Sequence, residues 1–497
     1  MECALILVIG DIMRTNTYKK IMSFGIVIAF LGVTIAPTVN AQITKTDVKN
    51  LINIIWKLTK QTEDIDDASY DLLIITPNRY TRALKSLVTH KNNVGVPAKL
   101  VTLNEIYKSQ ATEQGRDKPE KIKYFIKTAV EEWGIKYVIM VGNFRQMPIR
   151  YCYNEEPWEG FPEPFFISEL YYADIYDEKG NFSSWDTNNN NIYGEWSGDE
   201  AQDKDIDLYP DVYVGRLACR NIIEVKIMVN KIITYETTTY EKEWFNRIVA
   251  VAGDTYPPGS YEFPTPEFEG EENTKIALSY LPNFENITLF TSDETLTSPK
   301  DVVTELSKGC GFVYFDGHAN PSSWSTHPPN DKKNWTEGLA LSDMTKLKNK
   351  NMYPICVVGG CHNLQFDTAL TNFLKNPKDA WYYSIGVPEC WGWKLTRKIG
   401  GGSIATIGCS GLGMTKEDKQ SMEGASDYLD PQFFYEYGVN GTDILGETWG
   451  NAITNYLNKY SINWSTPAGQ DFAIDAKTVQ QWVLLGDPSL KIGGYPQ

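Results

Sequence analysis

Apolar residues fall into two alternating patterns along the chain. Short continuous runs rich in Val, Ile, Leu and aromatics occur at 71–76, 98–102, 137–142, 211–216, 247–254, 287–290, 311–318, 353–361, 400–408 and 482–488. Each is too short for a helix and stops at glycine or a polar residue, the signature of a strand buried on both faces. Between them lie segments with apolar residues at helical spacing, at 79–92, 119–133, 222–237, 271–280, 300–306, 427–437 and 443–460. Strand and helix in alternation predict mostly parallel sheets covered by helices, an α/β fold. The series restarts near Arg247, so we expect two side-by-side α/β subdomains, A over 70–240 and a catalytic B over 241–497. The pattern breaks between 152 and 210, a stretch rich in Trp, Tyr, Asn, Asp and Gly.

Two runs carry the chemistry. One closes on Asp316-Gly-His318, the other on Val357-Val-Gly-Gly-Cys361, and the cysteine comes 43 positions after the histidine. That interval holds the crossover that parallel neighbours need. Side by side, the strands would present an imidazole and a thiol at one carboxyl edge, where open α/β sheets put their ligand sites. A thiol nucleophile needs a base or cation that favours the thiolate, and donors for the developing oxyanion.

The chain has only four histidines. His90 lies on a helix of the first subdomain, His362 points away from its neighbour Cys361, and His327 sits in a loop, which leaves His318. The glycines before both residues let main chain approach a substrate. The amides of Cys361 and Ala319 are the candidate oxyanion donors. Asp254, closing a third strand, is the candidate to hold the His318 ring in its useful tautomer. The competing readings are a packed thiol beside a turn histidine, and a zinc site of His318, Cys361 and His362 that lacks metal spacing.

Composition narrows the partners. The 497 residues are 42% hydrophobic and carry a net charge of −16, which argues against nucleic acid and anionic membrane surfaces. Lys19 and Lys20, an apolar run and Val39-Asn-Ala41 read as a signal peptide over 1–41, with an uncleaved anchor as the alternative. Residues 42–69 read as an amphipathic helix and acidic connector, suited to a pro-segment. A secreted or extracytoplasmic protein follows, with no later membrane span. The cysteines other than Cys3 and Cys361 show no C-x-x-C spacing and read as buried free thiols. Within the irregular stretch, side-chain oxygens recur at Asp186, Asn188 and Asn190, followed by the Ile192 carbonyl and Glu195. That spacing suits calcium; a polar loop without an ion is the alternative. No organic cofactor is expected.

At these residues the chain resembles the gingipain family of cysteine peptidases, of the caspase-like clan. The resemblance also takes in Leu73-Ile-Ile-Thr-Pro-Asn-Arg-Tyr80, Tyr137-Val-Ile-Met-Val-Gly-Asn143, Val212-Tyr-Val-Gly-Arg216 and Leu485-Gly-Asp-Pro-Ser-Leu490, in order over about 70–492. It implies a caspase-like catalytic domain and a secreted cysteine endopeptidase acting on peptides or proteins through Cys361, His318 and Asp254. The family's oxyanion donors would be the amides of Cys361 and of Ala319, where glycine is usual. It implies a basic P1 residue read by an acidic side chain, with Glu269 first and Glu271 second, and a pocket wall including Met414. It also implies a structural calcium ion. The alternatives are a caspase-like peptidase or transpeptidase of other specificity, and an inactive surface-binding pseudo-peptidase.

Overall fold

Burying a Val, Leu, Ile or Phe side chain is worth about 1.5–3 kcal/mol, so a run of such residues is stable only where both faces are covered. The computed structural model meets that demand with two helix-covered sheets; it describes residues 69–155, 163–260, 268–414 and 424–496. The signal segment and the connector up to residue 68 lie outside the described residues.

The first sheet runs Ala98–Thr102, Leu72–Thr76, Tyr137–Val141, Tyr213–Leu217, all parallel. Its two inner strands are buried at every position. The helices Thr81–Asn93 and Lys118–Trp133 follow the first two of these strands in chain order, and Ile222–Thr238 follows Tyr213–Leu217. Lys118–Trp133 shows the local logic: the Asp117 side chain accepts from the Glu120 amide, Pro119 occupies the first turn, and left-handed Gly134 ends the helix.

The second sheet runs Glu285–Phe290, Arg247–Ala252, Phe312–Asp316, Ile355–Val358, Ala405–Cys409, Trp482–Leu485. The first five strands are parallel and the last is antiparallel. The two sheets approach each other at their edges. A Cβ on Gly215 would lie 2.6 Å from the Gly486 carbonyl oxygen, so Tyr213–Leu217 needs glycine there. Residues 70–497 form one compact unit, and the expected boundary near 240 falls between its two sheets.

The irregular stretch is not a plain loop. It supplies a small sheet ordered Phe165–Ile167, Tyr151–Asn154, Tyr193–Ser197, Glu200–Ala201. After His318 the chain forms a three-stranded antiparallel sheet of His318–Asn320, Ser323–Thr326 and Thr336–Ala340. The described cysteines are all free, and every one except Cys361 is buried. Among the described residues no helix is long and apolar enough to cross a membrane.

Candidate active site

The strand register places the two candidate residues together. Phe312–Asp316 and Ile355–Val358 pair in parallel with Phe315 opposite Val358. The Gly359 amide donates to the Phe315 carbonyl at 2.7 Å, so the pairing continues past the strand ends. Three residues on from that pair stand His318 and Cys361. Gly360 makes the junction: its φ is +134°, and a Cβ there would lie 2.8 Å from both the Ala319 nitrogen and the Ala319 Cβ. Any side chain would force the two strand ends apart. Two buried residues that the sequence reading missed brace the turn. Asn363 Nδ2 donates to the Gly360 carbonyl at 3.0 Å and to the Val358 carbonyl at 3.3 Å. Trp324 Nε1 donates to the Gly359 carbonyl at 3.0 Å.

The thiol itself is half-buried. Its described contact is the Gly413 carbonyl, 3.9 Å from Sγ. Burial pushes the Cys361 thiol up to about 11; the Gly413 contact opposes this and the Glu163 carboxylate adds to it. Low polarity disfavours the anion, and the negative charge of Glu163 acts in the same direction.

His318 Nε2 lies 2.7 Å from the Thr255 carbonyl oxygen. A carbonyl only accepts, so Nε2 carries the proton and Nδ1 keeps the lone pair. The ring is packed edge-on against Tyr256 (5.4 Å between centroids), Trp335 (5.2 Å) and His327 (5.7 Å). Burial lowers its pKa to about 4, with the Thr255 hydrogen bond opposing and His327 adding. Both members of the pair are thus neutral at pH 7. The acceptor that fixes the ring is main chain, one residue after Asp254. Asp254 is buried; its amide donates to the His327 carbonyl at 3.3 Å and its Oδ2 accepts from the Asn330 amide at 2.7 Å, tying down the loop that carries His327 and Trp335.

Of the two acidic candidates, Glu269 keeps an open oxygen. Its Oε1 accepts from the Tyr256 amide, while its buried Oε2 has no hydrogen-bond partner among the described residues. Burial pushes its carboxyl up to about 8, and the charges of Asp254 and Asp316 push the same way. Glu271 is already satisfied by the Ser292 amide at 2.9 Å and the Ser292 hydroxyl at 2.5 Å. Met414 packs into a small cluster with Ala425 and Ile474, and Gly413 of the same segment lies beside the thiol. Of the other histidines, His90 is held by Glu236 at 2.8 Å, and His362 pairs with Glu163 at 2.8 Å.

The expected calcium loop draws its residues together without opening a cage. Asp186 Oδ2 pairs with Arg116 Nη1 at 2.5 Å and accepts from the Asn191 amide at 3.1 Å, while its Oδ1 accepts from the Asn190 amide at 3.0 Å. Asn188 and Asn190 turn their Nδ2 groups to Glu195 Oε2, at 3.3 and 2.6 Å. Their Oδ1 atoms accept from the amides of Asn190 and Ile192. Calcium wants about six to eight oxygens. Here Arg116 supplies the positive charge and the amide oxygens serve the main chain, so the set as arranged does not fit the ion. Among the described residues no group of three or more His, Cys, Asp or Glu is placed to hold a metal.

The profile of peptidase family C25 matches residues 65–493. The chain belongs to that family. Gingipain R2 of Porphyromonas gingivalis is 19% identical over 456 residues, which make up 90% of this chain and 49% of the relative. Lys-gingipain HG66 of the same species is 24% identical over 288 residues, 57% of this chain and 14% of the relative. The chain spans about half the length of the R2 relatives, 49%. The crystal structure of the Arg-specific cysteine proteinase gingipain R matches with a TM-score of 0.58 at 17% identity, covering 85% of this chain and 78% of that one. A complex of pro- and mature domains of the Porphyromonas gingivalis protein RgpB matches with a TM-score of 0.56 at 18% identity, covering 85% and 79%. The expected caspase-like α/β fold is therefore the fold of this C25 chain.

Proposed function

We propose that the chain is an extracytoplasmic cysteine endopeptidase that cuts after basic residues. The observation that carries this reading is the Gly360 junction, which sets the Cys361 and His318 strand ends against each other in a C25 chain. With both groups neutral at rest, a preformed thiolate–imidazolium pair is not the ground state. His318 Nδ1 takes the thiol proton as Sγ attacks the peptide carbonyl. The amides of Cys361 and Ala319 donate to the oxyanion. The imidazolium then protonates the leaving amine, and the neutral ring activates water to hydrolyse the thioester.

Glu269 is the reader of a basic P1 side chain. A guanidinium or ammonium group entering beside Oε2 would pair the one carboxylate oxygen left open and draw the carboxyl back to its charged form. The names gingipain R and Lys-gingipain among the relatives support a basic P1, and the net charge of −16 favours cationic substrates. The leader-like 1–41 segment supports export. The high thiol pKa favours one rival, a binding protein that never acylates.

Hydrolysis of Arg- and Lys-containing peptide amides tests the reading. Cys361→Ala and His318→Ala should each lower kcat/KM by on the order of 10⁴ or more with the fold intact. Residual hydrolysis within tenfold of wild type in either variant would remove that residue from the mechanism.

A further inference from the structure

On the flank of Cys361 away from His318 lies a cavity of about 260 Å³, lined in part by Tyr151, Glu163, Phe166, His362, Asp367 and Tyr383. The strand order fixes its place: the Cys361 strand has the His318 strand on one side and Ala405–Cys409 on the other, and Ser410 and Gly411 complete the cavity wall. His362 follows the thiol directly. Its amide donates to the Gly411 carbonyl at 2.8 Å, and its φ of +56° swings the ring out of line with the strand.

The cavity is small beside sites for drug-sized ligands, about 300–1,000 Å³, and suits one long side chain. Four of its lining residues are Tyr or Phe, and its two carboxylates are Glu163 and Asp367. Glu163 Oε2 pairs with His362 Nε2 at 2.8 Å. Asp367 Oδ2 accepts from the Tyr151 hydroxyl at 2.5 Å, and Asp367 Oδ1 is buried with no hydrogen-bond partner among the described residues. None of its described lining residues is Lys or Arg. Two carboxylates and one imidazole line the cavity, so its side-chain charge is net negative. A long apolar stem with a cationic head complements that lining.

We propose that this cavity is a second recognition site for a Lys or Arg side chain, so that the preferred substrates carry two basic residues close to the scissile bond. The inference rests on the endopeptidase reading: Glu269 would read P1, and the Glu163–Asp367 cavity a residue within two positions of it. Burial already pushes the Asp367 carboxyl up, and an incoming cation would relieve that.

Two experiments keep the inference and the reading apart. In the first, peptides with Arg fixed at P1 and Lys, Ala or Glu at each position from P3 to P2′ are cleaved by the wild type, Asp367→Asn and Glu163→Gln. The wild type should favour Lys over Glu at one of these positions by about tenfold or more, and each variant should cut that preference at least threefold. No basic preference beyond P1, or one that survives both variants, overturns the proposal. In the second, calorimetry compares the same Lys and Glu peptides on Cys361→Ala protein with and without Asp367→Asn, which needs no catalysis. Tighter binding of the Lys peptide that Asp367→Asn abolishes upholds the cavity even if the protein cuts nothing. Equal binding of both peptides overturns it, whatever the fate of the thiol.

Discussion

His318 Nε2 is held 2.7 Å from the Thr255 carbonyl, which leaves Nδ1 as the basic nitrogen of a ring whose pKa burial lowers to about 4. The ring is therefore neutral and able to accept a proton across most of the accessible pH range. The acid limb of kcat/KM should lie near pH 4, to within about a unit, rather than near the usual 6.5 of histidine. Stability follows the same linkage. With the folded pKa below the unfolded value, the unfolded chain binds more protons between about pH 6.5 and 4, so stability falls as pH falls through that window. His318→Gln should flatten that part of the melting curve; an acid limb that stays at pH 6.5 would show a solvated ring.

Glu269 has the opposite sign. Its folded pKa of about 8 lies above its ordinary 4.5, so the unfolded chain ionises first and stability falls as pH rises between these values. Glu269→Gln should raise Tm at pH 8 by about 1–3 °C while lowering kcat/KM for Arg or Lys at P1 by about 30-fold or more. Scanning calorimetry and peptide kinetics check the two arms. A variant that loses stability at pH 8 would show that the carboxylate is already paired.

Gly360 leaves no room for a side chain. Gly360→Ala should cost roughly 1–3 kcal/mol from its positive φ and lower kcat/KM by about 10²-fold or more as the Cys361 and Ala319 amides are pushed apart. Chemical denaturation and peptide kinetics measure both. Wild-type activity in this variant would mean that the junction is softer than its contacts imply.

Arg116, not an ion, should hold the 186–195 loop. Arg116→Ala is expected to lower Tm by a few degrees, about 2–4 °C, whereas a calcium chelator should leave the wild type unchanged. A Tm that falls in chelator, recovers with Ca²⁺ and is weakened by Asp186→Ala would return calcium to the loop.

The sheets were legible because their strands are buried on both faces, as Leu72–Thr76 and Phe312–Asp316 are, and such runs leave an unbroken apolar signal. The His318–Cys361 pairing was legible because few histidines compete and both strands end in glycine. What escaped has no side-chain signature. The Thr255 carbonyl that fixes the histidine is a group every residue owns. The short strands between 151 and 201 carry too few residues to show a period. Helix Asp471–Gln481 buries Asp475, Lys477, Gln480 and Gln481 along with its apolar residues, so no polar face marks it out.

Labelling with an Arg- or Lys-directed acyloxymethyl ketone, followed by mass mapping of the adduct, tests the central claim most directly. The adduct should sit on Cys361 alone in the wild type, vanish in Cys361→Ala and form far more slowly in His318→Ala. An adduct on another cysteine, or labelling that persists in Cys361→Ala, would contradict the assignment of Cys361 as the nucleophile.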